Sequence, residues 1–147
     1  WLWGGRGGDI CVGAAARREK GSTVALSREF DTQRFHLDAA AANASVFQGI
    51  TASGWQTAAI AMRLFMTGPL RFAGGAVGLG VDELRWPTAV RPEDTIQLET
   101  EILETRLSRS KAGYGIVRVR NIARNQNGEV VLSYSANALV RSRPPAN

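Results

Sequence analysis

Cysteine and histidine are nearly absent: Cys11 and His36 stand alone in 147 residues. One cysteine forms no internal disulfide, and one thiol with one imidazole falls short of the ligand set of a structural zinc ion. Disulfide scaffolds and zinc folds are excluded, and no metal site is expected. Long apolar runs are missing as well. No stretch approaches the roughly 18 consecutive apolar residues of a membrane helix, so a soluble chain with no membrane partner is expected. The start, Trp1-Leu-Trp-Gly-Gly-Arg-Gly-Gly8, lacks an initiating Met, an apolar core and a small-residue cleavage site. It reads as a trimmed terminus rather than a secretory signal, which points to a cytoplasmic protein.

What the chain does hold is enough apolar residue for a core. Hydrophobic residues make up 44% and charged residues 21%, which lies outside the regime of disorder. The length suits a single domain over residues 1–147, in which residues 1–22 carry the least pattern. The net charge is +5, and 16 of the 18 cations are arginine, the side chain best suited to phosphate and carboxylate forks. They are scattered from Arg6 to Arg143, and some alternate with apolar residues, as in Val117-Arg118-Val119-Arg120. That is the wet face of strands, not a nucleic-acid stripe, and no nucleic-acid partner is expected.

Thr23–Phe30 reads as a short helix, and Asp38 as the cap of a second over Ala39–Ala44, since its carboxylate accepts from first-turn N–H groups. The strongest pattern begins at Ser53. Trp55, Ala59, Met62 and Met66 recur at three- and four-residue steps, widened by Ile60, Leu64 and Phe65. Gln56, Thr57, Arg63 and Thr67 form a thin polar side, and Gly68-Pro69 stops the helix. A helix this apolar is expected to be buried almost all round, with the Trp55/Met62/Met66 stripe in the core.

Four strands are expected near Val77–Trp86, Thr95–Leu107, Tyr114–Arg124 and Glu129–Arg141. In the last, Val130, Leu132, Tyr134, Ala136, Ala138 and Val140 share one face. Val131, Ser133, Ser135, Asn137, Leu139 and Arg141 form the other, expected to lie outside. Asn127-Gly128 signals a tight hairpin in which both residues take positive φ, with Ser110-Lys-Ala-Gly113 a weaker second turn. The glycines from Gly74 to Gly80 lack a dinucleotide-binding spacing and read as a bend entering a strand. The fold class is α+β: a long antiparallel sheet curled around one helix.

The only histidine sits in Phe30-Asp31-Thr32-Gln33-Arg34-Phe35-His36-Leu37-Asp38, off any periodic apolar face. Asp31 and His36 are five positions apart with no regular element expected between them. A curled loop would bring carboxylate and imidazole together around one water, a general acid/base pair by type. The same residues would serve equally as a backbone-satisfying imidazole and a cap, and spacing alone does not decide. Downstream, the N–H groups of Gly54 and Trp55 open the long helix, at the positive end of its dipole, where an oxyanion is stabilised. Ser53-Gly54 is equally an ordinary helix start.

Taken together, Phe-Asp-x-Gln-x-Phe-His-Leu-Asp, Ala-Ser-Gly-Trp-x-Thr-Ala, Val81-Asp-Glu-Leu-Arg-Trp-Pro87 and Val90-Arg-Pro-x-Asp94-Thr resemble the MaoC-like dehydratases, the (R)-specific enoyl-CoA hydratase group of the hotdog fold. The resemblance covers Asp31 to Val140. It implies a hotdog domain, an Asp31/His36 catalytic dyad and Gly54 N–H as oxyanion donor for a thioester carbonyl. It further implies that Gln33 orients the dyad and that Phe35, Ser53 and Trp55 contact substrate. The implied reaction adds water to a trans-2-enoyl-CoA, or in reverse dehydrates an (R)-3-hydroxyacyl-CoA. CoA enters as part of the acyl-CoA substrate, with no other cofactor, and a homodimer is implied. A hotdog thioesterase and a non-catalytic acyl-thioester binding module are the alternatives. Two departures stand out: Thr32 and Arg34 occupy positions where relatives carry proline, and Ser53 stands where many hydratases have histidine.

Overall fold

A computed structural model describes residues 8, 10–17, 20–72 and 74–142. Strand β1 (Ile10–Arg17) leads into helix α1 (Lys20–Phe30), a 3-10 turn (Arg34–His36), the short helix α2 (Ala39–Asn43) and the long helix α3 (Gly54–Thr67). Four strands follow: β2 (Ala76–Arg85), β3 (Thr95–Leu107), β4 (Tyr114–Arg124) and β5 (Val130–Arg141). Among the described residues they form one five-stranded sheet in the order β1-β3-β4-β5-β2, every neighbouring pair antiparallel. This is the expected α+β architecture, with α3 laid across β1, β3 and β5.

Period-two alternation builds the sheet's two faces. Ile96, Leu98, Thr100 and Ile102 of β3 and Val117, Val119, Asn121 and Ala123 of β4 are buried. Ile60, Ala61 and Leu64 of α3 pack onto Ile96, Leu98, Ala123, Val131 and Leu132 in one core cluster. The two polar residues in these rows sit opposite each other, and the Thr100 hydroxyl donates to Asn121 Oδ1 at 2.7 Å, so neither is left unsatisfied. The arginines between the buried residues point outward, as the alternation predicts. Arg118, Arg120 and Arg124 meet Asp82, Glu101 and Glu99 at 3.5, 3.2 and 3.8 Å.

Three readings are corrected. First, α3 is not buried all round. Trp55 is 67% exposed and Met62 and Met66 are each 53% exposed, while the polar Gln56 and Thr57 are buried. The stripe that looked like core is the outer face. At the first turn Gly54 and Thr57 line a cavity, and further along Ala58, Ile60, Ala61 and Leu64 meet the apolar core. Second, Val131 lies inside, completely buried. Ala123 pairs with Leu132 and Arg124 with Val130, so Val131 is the extra residue of a β-bulge, which turns it and Leu132 to the same side. Third, the β4–β5 connection is wider than a two-residue turn. Gly128 takes a φ of 79° but Asn127 does not, and Asn125 Oδ1 accepts from the N–H groups of Asn127 and Glu129.

Helix α1 starts at Lys20 instead of Thr23, and α2 is capped as expected, Asp38 accepting from Ala41 N at 2.8 Å. Gly74 and Gly75, with φ of 73° and 83°, make the bend into β2. Among the described residues that strand is an edge of the sheet, and its Val77, Leu79 and Val81 are exposed.

Candidate active site

Helix α1 delivers Asp31: its N–H bonds Ser27 O at 3.0 Å and closes the last turn. The chain then curls at once. His36 N bonds Gln33 O, and the N–H groups of Leu37 and Asp38 both bond Arg34 O, all within 3.0 Å. A regular element therefore does lie between Asp31 and His36, and this 3-10 turn is what brings them together. It forms without proline; the Thr32 and Arg34 side chains stay exposed, and Arg34 enters the bonding only through its carbonyl.

His36 is almost fully buried and held from two sides. Its Nδ1 lies 2.8 Å from the Thr51 carbonyl, and a carbonyl only accepts, so Nδ1 carries the hydrogen. That leaves Nε2 facing Asp31 Oδ2 at 3.4 Å. Phe35 meets the imidazole edge-on with centroids 4.6 Å apart, and Phe47 stacks at 6.4 Å. The imidazole thus satisfies a backbone group and faces a carboxylate, joining the two readings that spacing left open.

A gap of 3.4 Å exceeds a well-formed hydrogen bond, yet is short enough for one water to touch both groups. Partial burial works against the charge on Asp31. It is outweighed by the neighbouring Ser53 hydroxyl, the Gln33 amide and the His36 ring, which hold the carboxyl below the usual range. The Gln33 bond is fully formed, Nε2 donating to Oδ1 at 2.8 Å. The Ser53 hydroxyl is buried beside the carboxylate without reaching full hydrogen-bond geometry. Although Ser53 holds the N-cap position of α3, its side chain makes no capping bond.

This yields a pH prediction. A carboxyl lowered by folding stabilises the protein fully above its ordinary value of 3.8 and loses that contribution as pH falls through the lower folded value. Gln33→Leu removes one cause of the lowering. Titration of the Asp31 carboxyl by 13C NMR should therefore show a higher midpoint in the variant, and the two proteins should converge in stability in strong acid. An unchanged midpoint would detach Gln33 from Asp31.

Helix α3 supplies the other half of the site. Its first-turn N–H groups lack partners within the helix, and Gly54 stands first among them. Asp31, Gln33, Phe35, His36, Ser53, Gly54 and Trp55 all line one cavity of about 390 Å³. Every site residue expected from the sequence is gathered there. Three others were not expected. Thr51 O orients the imidazole, Phe47 stacks on it, and Trp86, just beyond β2, lines the cavity beside Gly54 and Trp55. The Trp86 indole Nε1 donates to Gly54 O at 2.8 Å, and its ring lies edge-to-face on Trp55 with centroids 5.4 Å apart. Among the described residues no three metal-ligating side chains cluster, and no helix is long and apolar enough to cross a membrane.

An antiparallel sheet with one long helix across it, bearing an aspartate–histidine pair beside that helix's amino terminus, defines a hotdog domain of the dehydratase type. The chain belongs to the MaoC-like domain family, whose model matches residues 23–125. The MaoC-like dehydratase of Rhodospirillum rubrum superposes with a TM-score of 0.89 at 42% identity, over 95% of this chain and 94% of that one. The (R)-hydratase PhaJ1 of Pseudomonas aeruginosa, at 22% identity and a TM-score of 0.72, covers 97% of this chain and 92% of its own and shares the fold. Mesaconyl-CoA hydratase of Cereibacter sphaeroides is 40% identical over 68 residues, 46% of this chain. The match spans only 20% of that enzyme's length.

Proposed function

We propose that the protein is a hydro-lyase that adds water across the double bond of a trans-2-enoyl-CoA and, in reverse, dehydrates an (R)-3-hydroxyacyl-CoA. The observation that carries this reading is Asp31 Oδ2 set 3.4 Å from His36 Nε2 on the wall of the cavity that also holds Gly54. Asp31 is ionised at neutral pH and accepts one hydrogen of the water. His36, held by Thr51 O, presents Nε2 to the same water. The water oxygen bonds to C3 as one of its protons passes to the dyad, and C2 receives a proton in turn. The double-bond electrons shift toward the thioester carbonyl, whose oxygen gains charge beside the free N–H of Gly54. A donor placed where charge develops is worth about 2.7–4 kcal/mol. Addition of water moves protons and a hydroxyl but no electrons, so this reaction needs no metal or redox cofactor. CoA enters only with the substrate, which suits a cytoplasmic enzyme.

The test is the loss of enoyl-thioester absorbance with crotonyl-CoA and with a longer trans-2-enoyl-CoA, alongside an assay for free thiol. Loss without thiol release supports hydration. Thiol release marks a thioesterase, and silence on both substrates marks a binding module.

The same reading includes a homodimer. Among the described residues strand β2 has no neighbour on its outer side, and Val77, Leu79 and Val81 there, with Met62 and Met66 on α3, are exposed apolar groups that a second copy would cover. An uncovered edge of this kind invites aggregation. Val77→Glu/Val81→Glu, at side chains more than half exposed and outside both core clusters, should convert a dimer to a folded monomer in analytical ultracentrifugation. A dimer of unchanged mass would move the interface elsewhere.

A further inference from the structure

Gly54 sits in ordinary helical backbone, so conformational freedom does not explain a glycine there. What explains it is Trp86. A Cβ on residue 54 would lie 2.8 Å from Trp86 Cε2 and 3.0 Å from both Cδ2 and Nε1. The indole packs against the first residue of α3. Its Nε1–H donates to the Gly54 carbonyl, although a first-turn carbonyl already has an acceptor role inside the helix and needs no outside donor. The groups that lack partners within the helix at this end are the N–H groups. The peptide unit is planar, so fixing the Gly54 C=O also fixes the Trp55 N–H of the same unit. The indole occupies the space a side chain on residue 54 would take, so it sits close against the start of α3, and the edge-to-face pair holds Trp55 from outside. Pro87 restricts the backbone of Trp86 to extended conformations, which steadies the indole.

We propose that Trp86 is a positioning residue: it clamps the Gly54–Trp55 peptide so that the first N–H groups of α3 are aimed at the thioester oxygen before charge develops there. The proposal rests on the hydratase reading for its kinetic consequence but not for its structural one.

Two variants separate its parts. Trp86→Phe keeps a ring over Gly54 and removes the donor, while Trp86→Leu removes both. With crotonyl-CoA, Trp86→Phe should lower kcat about tenfold with KM within about twofold, since aim is lost while the donor itself, worth roughly 10²–10³ in kcat, remains. Trp86→Leu should fall further toward that limit. The pH profile should keep its shape in both, because Asp31 and His36 are untouched. In 15N NMR the Gly54 and Trp55 amides should shift and exchange faster in Trp86→Phe, whether or not the protein turns over. A Trp86→Phe protein with wild-type kcat, or one changed in KM alone, overturns the positioning role. Unmoved Gly54 and Trp55 amides overturn the clamp. An inactive wild type whose amides respond to Trp86→Phe refutes the hydratase reading and leaves the clamp standing.

Discussion

Asp31→Asn should abolish nearly all hydration of an enoyl-CoA, by about 10²–10⁴-fold in kcat, while leaving melting temperature and assembly close to wild type. The change is nearly isosteric and removes only the charge. Asparagine keeps an oxygen for the Gln33 amide, so the wall of the cavity should hold its shape. It cannot, however, draw a proton from water. The Asp31 side chain is 18% exposed and lies outside the apolar clusters, so no packing is lost with it. His36→Ala should cost a similar factor, and the double variant little more than either single one, because residues that act on one water act as a unit. Progress curves of enoyl-thioester absorbance on the three variants decide it. Wild-type turnover in Asp31→Asn would remove Asp31 from the mechanism. Additive losses would mean that the two groups act on different atoms.

How far the fold and site are legible in the sequence depends on where each signal resides. Strands β3 and β4 fall on their expected residues because alternation and flanking turn residues are local, and nothing beyond the neighbouring strand changes them. Val131 escapes that logic. A bulge shifts the face of a side chain through a register that involves another strand, and no composition marks it. Helix α3 has its expected length but turns the opposite face inward. Periodicity shows that an apolar stripe exists but not which surface covers it. Here Ile60 and Leu64 take the sheet, and the stripe through Trp55 and Met66 faces outward.

The site divides in the same way. Asp31, Gln33, Phe35 and His36 lie within six residues, and their likeness to a known pattern carried Ser53, Gly54 and Trp55 with them. All seven line one cavity. Thr51 leaves no mark in the sequence because it meets His36 through its carbonyl, which every residue has. Trp86 stood inside a block that resembles the family, yet its partner lies 32 positions away, and only the tertiary fold sets indole against glycine.

That contact makes Gly54→Val the second large effect. A β-branched side chain at this position has to displace the indole, since the nearest atoms to a new Cβ all belong to Trp86, at 2.8–3.0 Å. Overpacking of this kind costs about 1–3 kcal/mol, most of it taken up by moving the Trp86 ring, which is partly exposed and has somewhere to go. The fold should survive. The catalytic loss should be larger, on the order of 10²–10³ in kcat with weaker binding as well, because the branched group crowds the approach to the Gly54 N–H and frees the Gly54–Trp55 peptide together. Gly54→Ala in the Trp86→Leu background separates these effects. With the indole gone, the alanine Cβ loses the atoms it would meet, so Gly54→Ala should cost less there than in wild type. Equal costs in the two backgrounds would mean that the methyl obstructs the substrate rather than the tryptophan, and kinetics of Gly54→Val equal to wild type would take the amino terminus of α3 out of the reaction.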